Sequence, residues 1–417
     1  MTIQQRYAKS VIPTYGRFDL AITRGSGARV WDDADREYLD FGGGIAVCSL
    51  GHAHPRVTAA VTEQASRLVH TSNLYYTQPQ IDLAERLVAA VGIPGKIFCC
   101  NSGAEANEGL LKVARRFGSA TQRHHVITFR GSFHGRTFAG ISATGQDKVK
   151  TDFGPLLDGF THVPLGDVDA VRAAITPQTA AILIEPIQGE GGIHPAGAEF
   201  LTTLRAICDE HDLLLLFDEV QCGLGRTGHY NGWHAIPGAA DVIPDGISWA
   251  KGIANGFPLG AFWVRDRPTG GDRGPLCDLL GPGSHGTTYG GNPVSCVAGL
   301  AVLDEIEEKQ LLQNVREMGA VCAKAIAALE YPLISDVRAL GLMIGIEFVP
   351  DTKERLGIEG PGTPSIALTK RLMSAGLLVV PAGERVLRFL PPLNVTSEDI
   401  DTAVRILGEQ TADPTVR

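Results

Sequence analysis

Two residues, Asp218 and Lys251, stand where covalent chemistry could be run. Asp218 follows Leu213-Leu214-Leu215-Leu216-Phe217, an apolar run that reads as a strand buried on both faces of a parallel sheet. A carboxylate at the C-terminal end of such a strand lies where open α/β sheets bind their ligands. Burying it is costly unless a cation meets it, and a protonated ring nitrogen is one such cation. Lys251 lies in Ser248-Trp249-Ala250-Lys251-Gly252, a glycine-flanked turn. The short strand Gly260-Ala261-Phe262-Trp263-Val264 follows and can return the lysine to the same edge. A Schiff-base lysine with an aspartate on a pyridinium nitrogen is the arrangement of a pyridoxal-phosphate site.

The elements that must position this pair recur along the chain. Ile97-Phe98-Cys99-Cys100 reads as a buried strand, and Asn101-Ser102-Gly103-Ala104-Glu105 opens a long helix behind it. A strand, a small-residue turn and a helix N-terminus can hold a phosphate on free backbone N–H groups, although Ser102 can equally be a plain N-cap. After the strand His125–Phe129 comes Gly131-Ser132-Phe133-His134-Gly135-Arg136-Thr137. Its aromatic and cation suit ring stacking and carboxylate binding, while a solvated loop arginine is the plainer reading of Arg136 alone. Ala181-Ile182-Leu183-Ile184 ends at Glu185-Pro186, with Glu190 between glycines just beyond. Alternating strands and helices imply a doubly wound, mostly parallel sheet whose loops converge at one edge. From about residue 310 the pattern changes to a smaller α/β unit. There Val386-Leu387-Arg388-Phe389-Leu390 sets a cation inside an apolar strand, which requires a carboxylate partner.

Two motifs are set aside. Gly223-Leu224-Gly225-Arg226-Thr227-Gly228 matches the dinucleotide fingerprint, but the following glycines, proline and aromatics cannot open the helix it needs. His52-Ala53-His54 has no further ligand cluster, so no metal is expected.

A chain of 417 residues with 44% hydrophobic and 20% charged content reads as an ordinary globular protein of one large and one small domain. Its net charge of −9 disfavours nucleic acid and anionic membranes as partners. No run of 18 apolar residues and no leader-type apolar core appear, and the eight cysteines form no CxxC. A reduced, cytoplasmic setting is expected.

Taken together, Asn101–Asn107, Gly131–Thr137, Glu185–Gly192, Asp218–Gly228, Ala250–Gly252, His285–Pro293 and Leu387–Leu393 resemble the class III, ornithine-type aminotransferases. The resemblance covers nearly the whole chain. It implies fold type I, with a large pyridoxal-phosphate domain over 46–309 and a small domain built from 1–45 and 310–417. It assigns Lys251 as the covalent anchor and proton carrier and Asp218 as partner of the ring nitrogen. Gln221 would bond the ring hydroxyl and Phe133 would stack on the ring. Ser102, Gly103 and Ala104 would hold the phosphate, with Thr288 of a second subunit, so a homodimer with shared sites is implied. The family often has threonine at the Ala104 position, and that hydroxyl is absent here. Arg136 would anchor a substrate carboxylate, Thr287 would contact the donor, and Glu190 would mask Arg388 until glutamate needs it.

His70–Gln80 and Asp218–Gly223 look most like the members acting on N2-acetyl-L-ornithine. The implied reaction, a step of arginine biosynthesis, passes the terminal amine to 2-oxoglutarate. N-acetylglutamate semialdehyde and L-glutamate would be its products. Donors such as 4-aminobutyrate, ornithine or succinylornithine would leave the same motifs, as would aminomutase or epimerase chemistry.

Overall fold

The computed structural model describes residues 1–270, 272–329 and 331–412. Near its start, strands β1 (Ile22–Ser26), β2 (Arg29–Asp32) and β3 (Glu37–Asp40) pair antiparallel. The β2–β3 turn is set by Asp32, whose Oδ1 accepts from the backbone N–H of Ala34 and of Arg36, both at 2.9 Å. At the end of β3, buried Asp40 accepts from the N–H groups of Gly42 and Gly43 through Oδ1 and meets His52 Nε2 at 2.8 Å through Oδ2.

The Asp40 bond, reinforced by Cys48, raises the His52 pKa from 6.5 to about 10. A histidine raised in the folded state contributes stability that is fully present below its unfolded pKa. That contribution is lost as pH rises from 6.5 towards 10. His52→Gln is therefore expected to flatten the fall of the thermal midpoint over this window. An unchanged slope in pH-series calorimetry would show that the pair contributes nothing to folding.

The main sheet is built from β4 (Gly95–Cys100), β5 (His125–Phe129), β6 (Phe160–Val163), β7 (Thr179–Ile184), β10 (Leu214–Asp218), β11 (Gly246–Trp249) and β12 (Gly260–Arg265). A small hairpin, β8 (Ile187–Gln188) with β9 (His194–Pro195), lies between β7 and β10. The spatial order is β4-β12-β11-β10-β7-β5-β6. Neighbours are parallel except β12, which runs antiparallel to both β11 and β4. The connection 250–259 is too short for the crossover a parallel partner needs, so the chain turns straight back and leaves Lys251 in the turn. Every residue of β7 and β10 is buried, as expected of strands covered on both faces. The helix Gly103–Gly118 packs tightly on the sheet at Gly109, where a Cβ would stand 2.1 Å from the Phe262 ring.

The C-terminal part carries a second sheet. Its strands β13 (Ile334–Leu340), β14 (Met343–Phe348), β16 (Val380–Ala382) and β17 (Val386–Phe389) stand in the order β13-β14-β17-β16. Before β16, strand β15 (Leu377–Leu378) pairs parallel with β3, which ties the N-terminal hairpin to the C-terminal segment. The rejected fingerprint Gly223–Gly228 forms a turn, not a helix start, and its Arg226 is buried with its guanidinium on the carbonyls of Leu342 and Pro391. Among the described residues, no helix is long and apolar enough to cross a membrane and no group of side chains could hold a metal ion.

Candidate active site

The loops after β4, β5, β7, β10 and β11 surround a cavity of about 390 Å³. Asp218 reaches it from the end of β10 and is only 3% exposed. Both oxygens of its carboxylate are held. Oδ2 accepts from Asn107 Nδ2 at 2.6 Å and meets His134 Nδ1 at 2.8 Å, while Oδ1 accepts from the Val220 N–H at 3.0 Å. The register Asp218↔Ser248 sets the Ser248 hydroxyl alongside, donating to Asn107 Oδ1 at 2.6 Å. Three polar side chains therefore fix the orientation of one carboxylate, and none of the three was assigned a role from sequence. His134 lies inside the Gly131–Thr137 motif, which was the available signal. Asn107 and Ser248 depend on a helix face and a strand register that no local pattern shows.

Lys251 opens a short 3₁₀ turn in left-handed backbone (φ 48°). A non-glycine residue there is strained and persists because the surroundings enforce it. Burial lowers its pKa against the opposing pull of Glu190. Desolvation thus shifts the amine toward the neutral form, which is the nucleophilic one.

The helix Gly103–Gly118 aims its N-terminus at the same cavity, with Ser102 as N-cap accepting from the Glu105 N–H. The first backbone N–H groups of a helix have no partner within it. Small residues are required at this point. A Cβ on Gly103 would stand 2.7 Å from Val220, and one on Gly135 would stand 2.9 Å from the Ala104 Cβ. The Phe133 loop is drawn over this helix end by Glu185, whose Oε2 accepts from the Phe133 N–H at 2.9 Å. Burial pushes the Glu185 carboxyl up to about 7, partly offset by His134.

Arg388, 1% exposed on β17, finds the carboxylate it requires. Its guanidinium donates to Glu190 Oε1 at 2.7 Å and to Gln221 Oε1 at 3.1 Å. Burial works against the charge on Glu190, yet Arg388 holds its pKa below the usual carboxylate value. Arg136 stands exposed at the cavity, its guanidinium 5.5 Å from the centre of the Phe133 ring, with no ion pair among the described residues.

Lys251, Asp218, Ser102, Gly103, Ala104, Phe133, Gln221, Arg136 and Glu190 all line the cavity, and Arg388 reaches it through Glu190 and Gln221. Thr287 and Thr288 do not. They line a separate cavity with Glu105, Glu108 and His285, where Asn101 donates to the Thr287 hydroxyl at 2.9 Å.

Residues 11–410 match the family described as aminotransferase class-III. The chain is a class-III aminotransferase. Among its relatives is the acetylornithine aminotransferase of Caldanaerobacter subterraneus subsp. tengcongensis, 41% identical over 98% of each chain. That of Myxococcus xanthus is 45% identical over 95% of this chain and 94% of its own. In three dimensions, this aminotransferase superposes on the N-acetylornithine aminotransferase of Stenotrophomonas maltophilia with a TM-score of 0.79 at 35% identity, covering 95% and 97% of the two chains. Its TM-score to the ornithine aminotransferase of Toxoplasma gondii, which holds pyridoxal phosphate at partial occupancy at its active site, is 0.87 at 29% identity, covering 98% and 93%.

Class-III aminotransferases depend on pyridoxal phosphate, and the donor set of this one fits that group. A buried carboxylate can face a ring nitrogen, a helix N-terminus can receive a phosphate, and a half-buried lysine stands within the same cavity.

Proposed function

We propose that this aminotransferase moves the terminal amino group of N2-acetyl-L-ornithine to 2-oxoglutarate. The observation that carries this is the pairing of buried Arg388 with Glu190, which lines the cavity that holds Lys251. One partner must serve a substrate with a second carboxylate and be silenced for a substrate without it. The acyl group rests on the acetylornithine aminotransferases matched over nearly the whole chain.

When bound, pyridoxal phosphate supplies an electrophilic carbon and a ring that withdraws electrons from the amine carbon. Ser102 and the Gly103 and Ala104 N–H groups would hold the phosphate, and Phe133 would stack on the ring. Gln221 would bond the ring hydroxyl. Asp218 would keep a proton on the ring nitrogen, its own geometry fixed by Asn107, His134 and the Val220 N–H. Lys251 would anchor the cofactor and, once released, would carry the proton from the donor's amine carbon to the cofactor's aldehyde carbon. Arg136 takes a substrate carboxylate in its planar fork. Glu190 covers Arg388 while the terminal amine reacts and yields it to the carboxylate beside glutamate's reacting carbon.

A homodimer with shared sites is part of this reading. Thr288 is exposed and lies outside its own chain's cavity, which leaves it free to reach a partner's phosphate in this reading. Leu74, Tyr75, Tyr76 and Tyr289 are each more than 60% exposed, apolar surface that a second copy would cover. Thr287 would meet the donor from the same side. We place the enzyme in the cytoplasm, a setting that eight free cysteines support. The large domain is taken as 46–309 and the small domain as 1–45 with 310–417.

Ornithine is the second reading, favoured by the TM-score of 0.87 to an ornithine aminotransferase. Turnover with 2-oxoglutarate separates the two. The expected kcat/KM for N-acetylornithine exceeds that for ornithine and for 4-aminobutyrate by about tenfold or more, the scale on which pockets discriminate. A higher value for free ornithine would overturn the acetylated donor.

A further inference from the structure

The loop that carries Glu190 is held by a residue outside the cavity. Beyond Glu190 the chain passes through Gly192 (φ 119°) and Ile193 (φ 60°). Ile193 is fully buried and β-branched, so left-handed backbone there is strained and must be enforced by its surroundings. Arg338 on β13 supplies that enforcement. Its Nε donates to the carbonyls of Gly192 and Ile193 at 3.2 and 3.1 Å, and its Nη2 to Gly192 again at 2.9 Å. The guanidinium is itself anchored through Nη1 by Glu347 at 2.7 Å and Asp336 at 2.5 Å.

The C-terminal sheet turns this contact into a ruler. Arg338 pairs with Gly345 on β14, and Gly345 pairs with Arg388 on β17. Residues paired across antiparallel strands share a face, so Arg338, Gly345 and Arg388 form one row. One end of the row grips the carbonyls of residues 192 and 193, and the other end grips the Glu190 carboxylate. Glycine is needed between them, because its Cβ position already lies 3.0 Å from the Gly192 oxygen and from Ile193. The loop is fixed at its near end too, where the Gly189 N–H donates to Glu185 at 3.4 Å.

We propose that Arg338 is a positioning residue that holds the strained Gly192–Ile193 turn and thereby sets how firmly Glu190 covers Arg388. It would thus tune the choice between a donor lacking a carboxylate beside its reacting carbon and one that has it. The proposal rests on the reading of Glu190 and Arg388 given above. Arg338→Met keeps an apolar stem and removes every donor to the loop. With the turn released, Glu190 leaves Arg388 more often, and glutamate gains at the expense of the terminal amine.

The test measures single-turnover kcat/KM for N-acetylornithine and for glutamate in the holoenzyme, in a double-mutant cycle with Glu190→Ala. Arg338→Met is expected to raise the glutamate-to-acetylornithine ratio about fivefold, within the range of indirect couplings. The same change made in Glu190→Ala should leave that variant's ratio where it was. A shift of equal size in both backgrounds would reduce Arg338 to a structural part and overturn the proposal, as would no shift in a folded Arg338→Met enzyme. If Glu190→Ala alone leaves the ratio unchanged, the masking of Arg388 fails, and the role of Arg338 with it. Arg338→Lys retains the charge facing Glu347 and one donor. It serves if the methionine variant does not fold: an intermediate shift supports the proposal, and an unchanged ratio overturns it.

Discussion

Replacing Lys251 by alanine is expected to lower kcat by at least about 10³, because general acid–base transfer alone is worth about 10²–10⁴ and the covalent anchor is lost with it. The position explains the size of the effect. Lys251 is held in strained left-handed backbone, and burial presses its amine toward the neutral state. Neighbouring Glu190 and Arg388 contribute opposite charges and cannot stand in for an amine. The variant should fold, since the chain keeps β11 and β12 on either side of the turn and alanine removes no hydrogen bond that secures them. Pre-steady-state rates would check it. A loss of less than tenfold, with folding and cofactor binding intact, would remove Lys251 from the chemistry.

Asp218→Asn is expected to cost about 10²–10³ in kcat, the range seen when one preorganised charge is removed from a reacting centre. Asparagine keeps the shape and loses the charge that can hold a proton on a ring nitrogen. Its amide would also face the Asn107 and His134 groups that now meet Asp218 Oδ2 at 2.6 and 2.8 Å. Donor would there meet donor, or the amide would turn and leave the Val220 N–H unpaired. Cofactor affinity should fall together with kcat, whereas KM for 2-oxoglutarate should change little. An unimpaired kcat would mean that the buried carboxylate serves packing alone.

Much of this was legible in the chain because the strongest signals were local. Continuous apolar runs such as Leu213–Phe217 and Ala181–Ile184 can bury only in a sheet covered on both faces, and both do. Arg388 within an apolar strand demanded a carboxylate, and Glu190 supplies it. The antiparallel direction of β12 follows from its short connection to β11, which an apolar pattern alone does not show. What stayed hidden depends on register and distance. Ser248 meets the Asp218 network through strand pairing, Asn107 through the buried face of its helix, and Arg338 through a row that crosses three strands. Such contacts leave no periodic trace in the sequence. The motif resemblance named the family, whereas the supports of its residues required coordinates.

The most direct test of the proposed reaction is optical. The purified holoenzyme, its lysine-bound cofactor absorbing in the visible, is mixed separately with N-acetylornithine, ornithine and 4-aminobutyrate, and the decay of that band is followed. Fastest decay is expected with N-acetylornithine, and 2-oxoglutarate should restore the band as the amino group passes on. A band that decays faster with free ornithine or 4-aminobutyrate, or that 2-oxoglutarate fails to restore, would contradict amino transfer from N-acetylornithine to 2-oxoglutarate.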